Sequence, residues 1–441
     1  MSGTVLEGLD RLTSPFGMIA DFHGRQSPRG LGDTIAAASA FFGYPVSRPE
    51  LRYATDIKYL REDRWGGEHA YGIALHDFQD ARLKALAEAA ERYSAGDFDD
   101  PVIRSSYRDL GSDALDPQRI PRCSERELST PGCPLGTLDP AAPIRWVRGI
   151  DFSNQERLWV PAVMAFYRLR GPLSLTERFW YRISTGFAVH SDPAEAMVRG
   201  VCEVIERDAI ALSWLQKIPL PVVDDYWLSD ETKRLISWGR RHYIEYLIFD
   251  ATTDVGVPTA LCLGIAKHAA HFAQAVSCAT GRTMTSAAEK AMLDGCFMRW
   301  GDRGAGEIPE NFRDFKALED SERYMAAPSR LAAFDFLIND ARERLGPERL
   351  TLPEDPRAML AWLIGTLSRQ GMSVIGIDRT TYELAAAGLT AVNVIVPELQ
   401  PMSLWPLAQY RAHQRLYSAP DLMGYHSHPE EELNTWPIPF G

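Results

Sequence analysis

Two stretches of the chain spell acidic chemistry in the same way. Glu88 and Glu91 in KALAEAAERYS stand three apart and are followed at once by Arg92; Glu203 and Glu206 in VCEVIERDAI stand three apart and are followed by Arg207, with Glu195 eight positions before Glu203. On an α-helix each residue turns about 100°, so with Glu195 at zero Glu206 falls at about 20°, Arg199 at about 40° and Glu203 at about 80°. Three carboxylates thus share one face, while Met197, Val198, Val201, Val204 and Ile205 occupy about 180° to 300° and pin the helix from the other side. Like charges so placed repel by about 0.2–0.5 kcal/mol per pair, which Arg199 and Arg207 offset in part. A divalent cation would offset the rest, and Mg²⁺ takes such carboxylates together with substrate phosphates. Glu and Arg on helices also form solvated faces with local ion pairs, so residue type alone leaves both readings open.

The elements that must position these acids are legible. Residues 76–94 and 191–215 read as strong helices opened by Asp or Ser caps, and 285–300 as a third. Strand-like runs lie at 159–169, 246–250, 258–266, 373–378 and 391–397, each apolar or β-branched and bounded by Gly, Pro or Asp. Residues 95–143 are rich in turn formers and read as long surface loops. Helices and strands do not alternate steadily, which argues for an α+β architecture with mixed sheets rather than a doubly wound one.

Composition narrows the function classes. The chain has 441 residues, is 45% hydrophobic and carries 47 Lys plus Arg against 59 Asp plus Glu, a formal charge of −12. No basic block is long enough to track a phosphate backbone, so nucleic acid is not an expected partner. No apolar run reaches the ~18 residues of a membrane span, and the N-terminus has no secretory signal pattern, which places the chain in the cytoplasm. Six scattered cysteines include no CxxC pair and read as free thiols, mostly buried. His426 and His428 in GYHSHPEE read as surface or hydrogen-bonding groups, because two His without a third ligand make no metal site.

The segment STGFAVHSDPAEAMVRGVCEVIERDAIALSW (184–214) resembles the signature of the YcaO family. SPFGMI, KALAEAAERYS, IRWVRGIDF, WVPAVMAFYRL, DVGVPTALCLGI and GIDRTTYELAAAGLTAVNVIVPELQP follow in the family's order, from about residue 12 to the C-terminus. The resemblance implies a YcaO-type fold in which ATP and Mg²⁺ lie among Glu-bearing helices. It makes Glu88, Glu91, Glu203 and Glu206 metal ligands, and Ser191, Glu195, Arg207 and Arg299 ATP-binding residues. It also implies one catalytic domain over 1–424, with a subdomain split near 145–180, and a proline-containing tail over 425–441. The end, NTWPIPFG, resembles the tail of azoline-forming members, which gives Pro437, Pro439 and Gly441 a catalytic place. Both prolines fix φ and lower the entropy lost on docking.

The chain departs from the family pattern at three places. AYGIALHD lacks the lysine of a usual Gly-Lys-Gly turn, Asp294 and Phe297 stand where Glu and Gln are typical, and Asn393 and Glu398 stand where Arg and Gly are common. The implied activity is ATP-dependent cyclodehydration, in which phosphorylation of a backbone amide oxygen of a ribosomal precursor peptide turns Cys, Ser or Thr into azolines, precursors of thiazoles and oxazoles. A thioamide- or macroamidine-forming enzyme and a noncatalytic scaffold subunit are the alternatives. YcaO-like sequence begins almost at once, so an E1-like or ThiF-like leader-binding subunit is expected as partner. A flavin dehydrogenase is a further partner in such clusters, and a homodimer stays open.

Overall fold

The computed structural model describes residues 8–13, 18–25, 30–31, 34–45, 65–96, 102–169, 173–300, 310–315, 320–340 and 351–440. Among them the strands, in chain order, are β1 (Ile19–Arg25), β2 (Ile35–Pro45), β3 (Trp65–Leu75), β4 (Ile103–Ser105), β5 (Ile144–Asp151), β6 (Glu156–Pro161), β7 (Phe187–His190), β8 (Glu245–Asp250), β9 (Thr259–Ile265), β10 (Gln274–Thr280), β11 (Ile375–Asp378) and β12 (Thr390–Ile395). The longer helices are α1 (Phe78–Ser94), α2 (Pro193–Leu215), α3 (Asp230–Arg241), α4 (Met284–Trp300) and α5 (Pro356–Arg369). The architecture is α+β as expected, but every pairing of these strands is antiparallel, where the sequence suggested mixed sheets.

The chain forms two compact units, each assembled from three stretches: Met1–Arg119, Thr137–Val201 and Asp355–Val396 in the first, and Ile120–Gly136, Cys202–Glu354 and Pro397–Gly441 in the second. The first unit holds the sheet β1-β2-β3 and a larger sheet ordered β4-β5-β11-β12-β7, with β6 paired to β5. Helix α1 starts at Asp77, whose side chain accepts from Gln79 N at 2.8 Å, and it lays Ala81, Ala85, Leu86, Ala89 and Ala90 on the small sheet. Small residues are required there. A Cβ on Gly72 would lie 1.9 Å from the Ala81 carbonyl oxygen and 2.3 Å from Ala85 N, so β3 touches the helix backbone itself. The strand-like run 159–169 divides at Pro161: β6 ends there and Ala162–Ala165 turns into a short helix.

In the second unit β10-β9-β8 form a sheet whose β9 is buried along its whole length. Helix α4 packs on it through Ala287, Ala288, Ala291 and Met292, and the Ser277 hydroxyl donates to Ala291 O at 2.6 Å. Asp208, fully buried, accepts from Arg415 Nε and Nη2 at 2.7 Å each and from Gln400 N at 2.7 Å, and Arg415 also reaches Asp254 at 2.8 Å. Burial of this kind is tolerated because each charge meets a partner, and removing one partner would leave the others uncompensated.

The stretch read as surface loop is partly interior. Glu127 caps its own short helix from Ser124 N at 2.9 Å and accepts from the backbone of Gln409 and of Arg411, the latter at 2.9 Å. Sequence could not show this, because the partners lie some 280 positions away.

Helix α3 ends with Ile244 N donating to Gly239 O at 2.9 Å, and the next-to-last residue of this turn, Tyr243, takes φ 58°. Glycine is free in that conformation, whereas a tyrosine costs about 1 kcal/mol.

Candidate active site

In the first unit Glu88 leaves α1 toward the strand it packs on. Its Oε2 accepts from Tyr71 N at 3.0 Å, and its Oε1 is 3.5 Å from Arg92. Arg92 itself donates to the Ser184 hydroxyl, at the start of the signature segment. Glu91 is half-buried on the same helix. The stretch AYGIALHD, where the family lysine is missing, forms the end of β3 and the cap of α1.

Helix α2 is opened by Asp192, whose Oδ1 accepts from Ala194 N at 2.8 Å and Glu195 N at 3.2 Å; Ser191 stands exposed just before it. Glu195 is buried and meets Arg199 Nε at 3.2 Å. His190 is held below its usual value, first by burial and then by the Arg199 charge.

The second unit carries the rest of α2. Arg207 forks between both acids of its own motif, Nη1 to Glu206 at 2.8 Å and Nη2 to Glu203 at 3.1 Å. Glu206 is 7% exposed and also accepts from Thr280 N at 3.0 Å, with Lys290 Nζ 4.0 Å away. The Glu206 charge holds the Lys290 ammonium above its ordinary value. Sequence reasoning passed over Lys290 and Thr280. A signal for Lys290 was present, since it stands four and seven positions before Asp294 and Phe297 on one face of α4.

Arg299 does not join this group. It donates to three carbonyls, of Gly264, Phe272 at 2.8 Å and Ala273 at 3.1 Å, and so straps the turn between β9 and β10. Asn393 is buried and donates to Thr185 O at 3.3 Å. His428 meets Glu432 at 3.1 Å, and four of the six cysteines are buried.

The tail is seated on the far end of α2. Trp214 Nε1 donates to Trp436 O at 2.9 Å, and the Ser321 hydroxyl donates to Ile438 O. Phe440 N closes a turn around Pro439 on Ile438 O at 2.8 Å. Pro437, Ile438, Pro439 and Phe440 are all buried, and Pro439 and Phe440 line an apolar cavity with Ile210, Leu261 and Val276. Trp214 lies eight residues beyond Glu206, about 12 Å along the helix. Gly441 lies outside the described residues.

The donor set suits ATP and Mg²⁺. Glutamate oxygens are the hard donors Mg²⁺ takes, and Arg207 and Lys290 are cations of the kind that neutralise phosphates. Among the described residues no three His, Cys, Asp or Glu stand together at metal distance. Glu88, Glu195, Glu203 and Glu206 instead rest on arginines of their own helices.

The fold is α+β, and its donors are of the kinds that can hold a metal and a polyphosphate. The model of the YcaO family, described as YcaO cyclodehydratase, ATP- and Mg²⁺-binding, matches residues 76–400. The chain belongs to the YcaO family, and ATP and Mg²⁺ are its cofactors. A heterocyclase solved in complex with substrate and cofactor superposes with a TM-score of 0.76 at 20% identity, over 99% of this chain and 57% of that one. YcaO from Methanopyrus kandleri, bound with AMPPCP and Mg²⁺, gives 0.58 at 16% identity over 87% and 86%. In sequence, an uncharacterized protein of Methanothermobacter thermautotrophicus is 30% identical over 182 residues, 41% of this chain and 43% of that one. An uncharacterized protein from the tfuA 3′ region of Rhizobium leguminosarum bv. trifolii is 28% identical over 42% of this chain and 41% of that one. The match thus spans about two fifths of the length of these curated relatives. No described helix is long and apolar enough to cross a membrane.

Proposed function

We propose that this chain is the cyclodehydratase component of a peptide-modifying system, forming azolines from Cys, Ser or Thr of a ribosomal precursor peptide. The observation that carries the reading is the seated Pro-Ile-Pro tail, ordered on the same helix that bears Glu203, Glu206 and Arg207. Bound ATP with Mg²⁺ supplies the phosphoryl group that turns an amide oxygen into a leaving group. By the family resemblance, Glu88, Glu91, Glu203 and Glu206 are the oxygen donors that would hold the metal, and Ser191, Glu195 and Arg207 those that would hold the nucleotide. Arg207 and Lys290 would offset charge on a bound phosphate, the main demand of phosphoryl transfer. The tail's part is to hold its end in one register, since Trp214 and Ser321 fix alternate carbonyls and two prolines remove competing conformers. The structurally similar E. coli chain is named as part of the microcin synthetase McbBCD complex. A leader-binding E1-like or ThiF-like subunit is the corresponding partner proposed here.

The test is ring formation, read by mass as one water lost per ring, with precursor and partner present. Removing residues 436–441 should lower turnover by about a hundredfold, the cost of misplacing reacting groups by ~1 Å. ATP affinity should change by less than about threefold, because the acids and Arg207 bind independently of the tail. Undiminished ring formation by the truncated chain rejects the tail's role, and a product gaining sulfur in place of losing water makes the chain a thioamide-forming enzyme.

A further inference from the structure

The C-terminal end of α3 and the β9–β10 turn, both in the second unit, gather two arginines, a lysine and three histidines around one exposed tyrosine, with the exposed Glu245 opening the next strand. Arg240, Arg241 and His242 close the helix and Tyr243 follows; Lys267, His268 and His271 lie in the turn, and all seven are exposed. The rings of Tyr243 and His268 meet edge to face at 6.0 Å, so the two segments form one surface. The turn is fixed in place by Arg299, and it contains Phe272 at φ 54°, a second left-handed aromatic in the same corner.

Folding accounts for only part of this corner. Basic residues in a last helical turn complement the helix dipole, which explains Arg240 and Arg241. It does not explain Lys267, His268 and His271, which come from a different element. Tyr243 is 80% exposed, so its side chain adds little packing to the left-handed backbone that closes α3 through Ile244 N and Gly239 O. A glycine would close the helix there without strain, whereas an exposed tyrosine beside arginines offers the residue types that carry interface energy. The chain as a whole is at −12, so this corner runs against the sign of the net charge, and it is too short to track a phosphate backbone. A short acidic segment meets both conditions.

We propose that this corner docks an acidic peptide segment of a partner, with Arg240, Arg241 and Lys267 pairing its carboxylates and Tyr243 covering an apolar side chain between them. The probe is a fluorescein-labelled peptide of Glu-Asp-Leu repeats, titrated with the full chain and read by anisotropy without nucleotide, so the outcome is independent of the proposed reaction. The double substitution Arg240→Ala with Arg241→Ala should weaken binding about tenfold, two exposed ion pairs at the upper end of their usual worth. Raising salt from about 50 to about 300 mM should weaken the wild type and leave the double variant little changed. Tyr243→Gly separates binding from structure, because relieving the backbone should hold or raise the thermal midpoint by about 1–3 °C while affinity falls about threefold. Unchanged affinity in the double variant overturns the proposal. So does equal binding of a Lys-Arg-Leu counterpart, or tighter binding of a single-stranded oligonucleotide of similar length.

Discussion

The two ExxER helices use one sequence motif in two ways. On α1 the first acid is spent partly on the fold, since Glu88 accepts a strand amide from Tyr71, and the motif arginine reaches outward to Ser184. On α2 the arginine turns back: Arg207 lies between Glu203 and Glu206, and Thr280 N and Lys290 approach from other elements. The first helix thus offers a carboxylate anchored by backbone, and the second a compensated cluster of two acids and two cations. Spacing sets which residues share a face, and neighbours far away in the chain decide what the charges do there.

The largest contrast should come from the arginines. Arg207→Met leaves two carboxylates, one of them buried, without their main partner; we expect a loss of about 2–3 kcal/mol in urea unfolding and at least a hundredfold in ATP-dependent turnover. Arg92→Met should cost about 1 kcal/mol or less, because Glu88 keeps the Tyr71 amide. Equal losses in the two variants would break the comparison.

Next come the acids, read by calorimetry with Mg²⁺ and ATP. Glu206→Gln and Glu88→Gln should each weaken binding about tenfold, as a neutral amide is a poor Mg²⁺ donor. Only the first should lower stability by about 2 kcal/mol, because a glutamine at 88 still accepts from Tyr71 N. Undiminished affinity in Glu88→Gln would reduce that residue to a strand anchor.

The smallest effect belongs to Lys290→Met. The side chain is 59% exposed, so unfolding should move by less than about 0.5 kcal/mol, while ATP affinity falls about threefold. No change in affinity would leave Arg207 as the cation of the cluster.

What the sequence disclosed follows from local physics. The helix faces of α1, α2 and α4 were readable from period, and their starts shifted by at most two residues because Asp77 and Asp192 act as caps. β2 and β3 were not readable as strands. Ala36–Ala40 and Gly72 have poor strand propensity, and at Gly72 the backbone of α1 approaches too closely for a larger side chain. The acids of the site were visible for the same reason as the helices, whereas Lys290, Thr280 and the tail's seat on Trp214 and Ser321 depend on contacts between distant positions.

Arg415 bears on how the chain is made. Asp208 and Asp254 lie in the middle stretch of the second unit, and the guanidinium that compensates both arrives with the last stretch, Pro397–Gly441. During synthesis, α2 can form long before residue 415 exists, but its Asp208 then has no cation to be buried against. The second unit therefore cannot close progressively behind the ribosome; its interior waits, hydrated, for the final stretch, and such late long-range closure is slow and leaves apolar surface open to other chains.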